Sequence, residues 1–391
     1  MKIVHLTTSF SGGAGIASVR VNDALNLVGI ESRILSRDNY PESKKIKYIR
    51  RLKSSTNTIF QSKFVQNSND LVTPFSVNFL EIQSKLLSMA DIVHIHSYYN
   101  LLNHSFLKNL MSIPKAVFFT MHDQRLFTGG CHYSRDCTKY LNFCGNCPQV
   151  NIPFRSLIKK SFINQQAIFS NVANVRIISP SFWLKSIASE SKILSKTPIR
   201  VIRNPIPKIF FDYPIISHRN SDSIRIAFVA ANLDNPYKGF KTFAEAINKI
   251  ALTNKRRITV VLIGKGGNKA FNSNVCVDKV LAQNNLEMAE LLSSVDLLVV
   301  PSNQDNSPSV IGEALSMGVS VIGSRIGGIT EILNEFGMPT FKVGAHDELS
   351  EKILEMGNFN QKKEIREKSK KYFSEELIAN NLIEFYTEAL V

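Results

Sequence analysis

Two carboxylates, Asp305 and Glu313, flank a short polar segment, Asn306-Ser307-Pro308-Ser309-Val310. The run Asp296-Leu-Leu-Val-Val300 ahead of it is short, apolar and β-branched, which predicts a buried strand ended by Pro301. Ser307 suits a helix N-cap, and Pro308 suits the first helical position, where a missing N–H costs nothing. Val310, Ile311, Ala314 and Leu315 then share one helix face, and Gly318 stands where a helix end takes a left-handed residue. Val319–Gly323 reads as the next strand. Strand, loop, helix and strand make the repeat of a parallel sheet, whose ligands bind beyond the carboxyl ends of the strands. The N–H groups of residues 306–310 favour an anion there, such as a phosphate, while a carboxylate accepts hydrogen bonds from sugar or ribose hydroxyls. The same pattern also fits an ordinary βαβ unit carrying two solvated acids.

A second constellation is thiol-rich. Cys131, Cys137, Cys144 and Cys147 crowd a short glycine-containing segment, with His132 beside the first. Cys144-Gly-Asn-Cys147 has the C-x2-C spacing of a tetrahedral metal knuckle, so a structural zinc ion is expected; disulfides or free thiols are the alternatives. Cys276 stands apart and is expected to be a buried apolar residue.

Positioning such groups takes more than one core. The chain has 391 residues, 44% of them hydrophobic, enough for two domains. Its start, Met1-Lys-Ile-Val-His-Leu6, reads as a strand rather than a signal peptide, and no apolar run is long enough to span a membrane. A cytoplasmic location is expected, with peripheral attachment to the inner face of the membrane as an option. The net charge is +15, and residues 1–204 hold 26 of the 47 basic and 10 of the 32 acidic side chains. An anionic partner for this half is implied. The densest run is Lys44–Lys53; with Ile46, Ile49, Leu52, Ile59, Phe60 and Phe64 at near-helical spacing, it suits either an anionic bilayer or its own domain. No nucleic-acid-binding spacing accompanies it.

Along the chain, strands are predicted at Lys2–Leu6, Glu31–Ser36, Asp91–His96, Ala116–Thr120 and Val175–Ser179. The first is followed by a loop from Thr7 to Gly15, in which Gly12 and Gly13 would let backbone N–H groups approach a ligand, and then by a helix to about Val28. Ile199–Pro207, with two prolines, marks a domain crossing. Strands at Ile224–Ala230 and Ile258–Ile263 open the second half, and an amphipathic helix, Glu375–Leu390, ends it.

The segment 295–335 and the string Thr120-Met-His122-Asp123-Gln-Arg125-Leu-Phe-Thr-Gly-Gly-Cys131-His132, with Cys144-Gly-Asn-Cys147-Pro148 behind it, resemble glycosyltransferase family 4, in the branch with a Cys-rich segment after its His-Asp motif. The resemblance implies an α/β chain of the GT-B fold, two Rossmann-like doubly wound domains facing a cleft. The divisions would be 1–204 with a Cys-rich insert at 129–149, 205–371, and a helix at 372–391 returning to the first domain. It implies a retaining transferase working on a nucleoside-diphosphate sugar, UDP before GDP. The acceptor would be a glycan or a lipid-linked (polyprenyl) glycan in O-antigen, capsule or exopolysaccharide assembly.

His122, Lys238 and Asp305 match the catalytic positions. Gly12, Gly13, Asn232, Lys238, residues 306–310 and Glu313 fall on the donor side, and Asp123, Arg125 and His132 are candidates on the acceptor side. Two positions depart from the family pattern: Asp305 replaces a glutamate, and Asn232 stands where an arginine is usual, a role Arg325 could take over. No D-x-D motif occurs, so no catalytic metal is expected, and Lys238 with the helix start would carry the phosphate charge. Other readings of the same residues are a catalytically silent module of this fold and a sugar-nucleotide epimerase.

Overall fold

The computed structural model describes residues 1–39, 63–67, 70–74, 84–170, 173–215, 223–253, 256–267, 271–356 and 362–390. The basic run Lys44–Lys53, with Ile59 and Phe60, lies outside them. Phe64, at the end of that pattern, is fully buried and packs on Phe154. No helix among the described residues is long and apolar enough to cross a membrane.

The chain divides into two compact units, Met1–Arg203 with Ile378–Val391, and Asn204–Leu377. The strands of the first are β1 (Lys2–Leu6), β2 (Glu31–Leu35), β3 (Ile92–Ile95), β4 (Ala116–Thr120), β5 (Val175–Ser179) and β6 (Ile199–Val201). Those of the second are β7 (Ser223–Asn232), β8 (Arg257–Lys265), β9 (Val275–Val280), β10 (Leu297–Val300), β11 (Ser320–Ser324) and β12 (Thr340–Phe341). Among the described residues each unit has one parallel sheet, ordered β2-β1-β3-β4-β5-β6 and β12-β11-β10-β7-β8-β9. The second is the strand order of doubly wound dinucleotide-binding sheets, and its direction reverses between β7 and β10. In the first, the reversal lies at β1 and β3.

Successive strand residues point to opposite faces, and along the inner strands both faces are covered. In the first unit Leu6, Val93, Ile95, Val117 and Phe119 pack on one side. Ile3, Ile92, Phe118 and Ile178 pack on the other, against Val21, Leu25 and the C-terminal residues Ile378, Leu382, Phe385 and Tyr386. In the second, Ala227, Val261, Leu298 and Val321 face one core, and Ile226, Phe228, Val260 and Ile322 the other.

Local differences from the sequence pattern have physical causes. The helix after β1 begins at Gly12, inside the expected loop, and runs to Leu27. The helix after β10 spans Ser309–Ser316 and its N-cap is Pro308, so Ser307 stands one residue outside. Proline has no N–H to lose in either place. The helix ends as expected: Gly318 adopts φ +75°, its N–H meets the Leu315 carbonyl and the Val319 N–H meets Ala314. These bonds form a Schellman cap, and a Cβ at Gly318 would lie 2.2 Å from the Lys362 carbonyl oxygen. Cys276 is exposed rather than buried, because β9 is an edge strand with one face to solvent.

Candidate functional site

In the second unit the polar groups gather at the sheet's reversal. β7 ends at Asn232, and the turn that follows carries Lys238 and Gly239. Gly239 adopts φ +72°, and a Cβ there would fall 1.9 Å from the Pro301 carbonyl oxygen, so only glycine lets this turn lie against the end of β10. Asn303 fastens the two, its N–H on the Tyr237 carbonyl at 2.8 Å and its side-chain amide on Pro236 at 2.7 Å. The result is a direct ion pair: Lys238 Nζ lies 2.7 Å from Asp305 Oδ2. Ser302 donates to the same oxygen at 3.3 Å, and the Asn306 N–H donates to Asp305 Oδ1 at 3.0 Å.

The helix Ser309–Ser316 starts three residues later. Helix geometry leaves the N–H groups of its first turn without intrahelical acceptors, and the dipole adds positive charge there. Glu313, in its second turn, is buried. Asp305, Lys238 and residues 306–310 are thus brought together, with Glu313 on the same helix. Asn232 is exposed, and its side chain accepts from the Asp234 N–H at 3.0 Å, shaping the turn. Arg325 pairs with Glu348 at 3.3 Å.

In the first unit, the loop after β1 is tied to the segment after β2 by Asp38, which accepts from Ser9 Oγ at 2.7 Å and the Phe10 N–H at 2.6 Å. Gly12 and Gly13 open the next helix, exposed, with open space where a side chain would be. Their N–H groups therefore stand at the carboxyl end of β1.

His122 follows β4 and is half-buried. It belongs to a set that sequence reading missed. His5 Nδ1 lies 2.9 Å from His96 Nε2, and His96 Nδ1 lies 3.2 Å from His122 Nε2. His94 stacks on His96 at 4.2 Å and spends its own nitrogens on Tyr386 Oη (2.6 Å) and Thr120 Oγ1 (2.7 Å). The signal was present: His94 and His96 are two apart in the run Asp91–His96 that reads as a strand, so they point to one face even though β3 ends at Ile95, and His5 pairs with His94 in register. Burial depresses all four histidines. His5 falls to about 3 and His122 to about 4, the latter against the opposing pull of Asp123; His94 and His96 lie well below the ordinary value, lowered further by neighbouring histidines. All four are neutral near pH 7.

The three acceptor-side candidates form one interlocked group. Asp123 Oδ1 accepts from the Arg125 N–H at 2.8 Å, and its Oδ2 meets His132 Nδ1 at 2.6 Å. His132 Nε2 lies 2.8 Å from Thr73 Oγ1, and Arg125 Nε donates to Thr73 at 2.7 Å while its guanidinium covers the Tyr98 ring at 4.4 Å. Asp123 thus holds His132 and the loop. Arg125 and His132 are themselves buried, which makes this set a brace within the unit.

Cys131, Cys137, Cys144 and Cys147 line one cavity with Val72, Thr128 and Tyr140, and none of the four is in a disulfide. Burial pushes Cys144 up to about 12 and raises Cys131 and Cys147 as well. Among the described residues, the three candidate metal-ligand atoms within 4.8 Å of one another belong to His5, His94 and His96. Both nitrogens of His94 are turned to Tyr386 and Thr120, so these rings do not aim at a common point.

Residues 223–358 match the family model described as glycosyl transferases group 1. The chain is 25% identical over 328 residues to the putative colanic acid biosynthesis glycosyl transferase WcaC of Escherichia coli K12, covering 78% of this chain and 76% of that protein. Among solved structures it is similar to sucrose-phosphate synthase from Thermosynechococcus elongatus, at TM-score 0.65 and 15% identity, over 99% of this chain and 98% of that one. It is also similar to Anabaena HepE in complex with UDP, at TM-score 0.60 and 14% identity, over 99% of this chain and 100% of that one. The shared fold is GT-B.

The neutral histidines make the first unit acid-sensitive. Their folded pKa values lie below the unfolded value, so between about pH 6.5 and 4 the unfolded chain binds protons that the folded chain refuses. Stability should therefore be full above about pH 6.5 and fall with decreasing pH, by about 1.4 kcal/mol per pH unit for each histidine. Urea midpoints of the first unit at pH 7.5, 6 and 5 read this directly, and a flat profile would mean that the rings are charged in the fold.

Proposed function

We propose that this chain, a GT-B glycosyltransferase whose residues 223–358 match the group 1 glycosyl transferases, moves a sugar from a nucleoside-diphosphate sugar to a glycan or polyprenyl-linked glycan in surface polysaccharide assembly. The observation that carries this reading is the Lys238–Asp305 pair at the reversal of the second sheet, beside the start of the helix that bears Glu313. A cation and a row of helix-start N–H groups suit a diphosphate, and Glu313 suits ribose hydroxyls. UDP is the favoured nucleotide; the UDP complex of the structurally similar HepE supports it, and the name of WcaC supports polysaccharide assembly.

The transfer proceeds with retention, by front-face substitution. As the anomeric C–O bond to phosphate breaks, negative charge grows on the leaving diphosphate, and Lys238 and the helix start stabilise it. The acceptor oxygen bonds the same face of the anomeric carbon, and its proton passes to the departing phosphate oxygen. Lys238 must leave Asp305 for the phosphate, which frees the Asp305 carboxylate to accept from a sugar hydroxyl. His122 serves as a neutral hydrogen-bonding group toward the sugar. Charge stabilisation by Lys238 and backbone takes the place of a divalent cation. Two further parts of the reading lie in the first unit: a zinc ion drawing the four cysteine sulfurs together, and contact with an anionic bilayer surface through its basic excess.

Four outcomes are measurable. A mass-spectrometric screen of UDP- and GDP-sugars should show acceptor-stimulated release of nucleoside diphosphate that persists in EDTA; loss of turnover in EDTA would refute the metal-free mechanism. Glu313→Ala should weaken UDP binding about tenfold or more by calorimetry, as expected for removing a charged hydrogen-bond acceptor, and wild-type affinity would reject the ribose role. Protein purified without chelator should carry about one zinc per chain by elemental analysis, lost in Cys144→Ser with Cys147→Ser; less than about half an equivalent would mean that the thiols stay free. Anionic vesicles should co-sediment the protein at low salt and release it at high salt, and binding unaffected by salt would exclude the electrostatic origin.

A further inference from the structure

The row His5, His96, His122 is a directional device. Each N···N contact needs one donor and one acceptor, and a neutral imidazole carries one N–H. The row therefore has two self-consistent states. In one, His5 Nδ1–H donates to His96 Nε2, His96 Nδ1–H donates to His122 Nε2, and His122 carries its proton on Nδ1. In the other every bond is reversed, His122 is protonated on Nε2, and His5 carries its proton on Nε2. His5 Nε2 is buried and has no hydrogen-bond partner. Orphaned buried N–H groups are rarer than under-used acceptors, which selects the first state. His94 does not enter the row, because Tyr386 and Thr120 occupy its nitrogens; its ring closes one face of His96.

We propose that His5 and His96 are positioning residues that fix His122 as its neutral Nδ1–H tautomer, making it a hydrogen-bond donor to a sugar oxygen. This rests on the role given to His122 above. The proton on Nδ1 suits the front-face transfer: a donor there orients the sugar through one of its hydroxyl oxygens and presents no basic lone pair to compete with the leaving phosphate for the acceptor's proton. The tautomer is set one and two rings away from His122: His96 follows the end of β3, its N–H on the Leu6 carbonyl at 2.8 Å, and His5 lies on β1, held by β2 and β3 on either side.

The tautomer is visible without a ligand. Two-bond 1H–15N spectra of the full chain with 15N-labelled histidine, assigned with His122→Gln, should show His122 Nδ1 and His96 Nδ1 protonated and His5 Nε2 bare; His122 protonated on Nε2 overturns the proposal. In the His96→Phe variant the His122 signals should move toward a two-tautomer average. Turnover of the sugar nucleotide identified by the donor screen should fall about tenfold in kcat, with its KM changed less than twofold. His96→Gln, whose amide can still donate to His122 Nε2, should recover most of that loss. On a His122→Gln background, His96→Phe should cost nothing more; an additive loss would mean that His96 acts independently and overturns the proposal. If His122→Gln itself leaves turnover unchanged, the catalytic reading of His122 fails, while the spectrum still decides the tautomer.

Discussion

Both sheets are parallel and their inner strands are covered on both faces, and this closure governs where chemistry can happen. A side chain in the middle of an inner strand such as β4 or β10 meets only core. Polar groups are cheap at the carboxyl ends, where backbone and side chains reach past the covering helices. Lys238, Asp305 and the start of the Ser309–Ser316 helix stand at such ends in the second unit. Gly12, Gly13 and His122 do so in the first. His5 of β1, His94 of β3 and His96 just past its end are the exception, buried along a face that otherwise carries Ile3, Ile92 and Phe118.

That exception is tolerated because its hydrogen bonds are nearly complete. His94 is bonded at both nitrogens, His96 lies between two imidazoles, and only His5 Nε2 goes unmet. Tyr386, which closes the network, comes from the far end of the chain and packs on Phe118 at 4.7 Å. The acidic side of the same unit follows a similar logic. Asp123 is committed to His132 and the Arg125 backbone, so its charge braces a loop while His122 beside it stays neutral.

In the second unit the decisive contact is between two turns. Gly239 against the Pro301 carbonyl brings the ends of β7 and β10 close enough for Lys238 to reach Asp305. An aspartate, one methylene shorter than glutamate, closes that distance at 2.7 Å with support from Ser302 and the Asn306 N–H. The shorter side chain is therefore a fitted member of the loop.

The strands were legible because buried parallel strands are short apolar runs: Ala116–Thr120 and Val175–Ser179 are read to the residue, and Gly318 announced its helix end. Helix starts were less legible. Glycines at 12 and 13 and a serine before Pro308 serve loop and helix alike, and packing chose between them. The pairing of Lys238 with Asp305, the seating of Asp123 on His132, the exposure of Cys276 and the column of His5, His96 and His122 all join residues distant in sequence or depend on which strand lies at an edge. Periodicity along one segment carries information about that segment's faces. Which faces meet, and which nitrogen of a histidine finds a partner, is fixed only when the strand order brings the segments together.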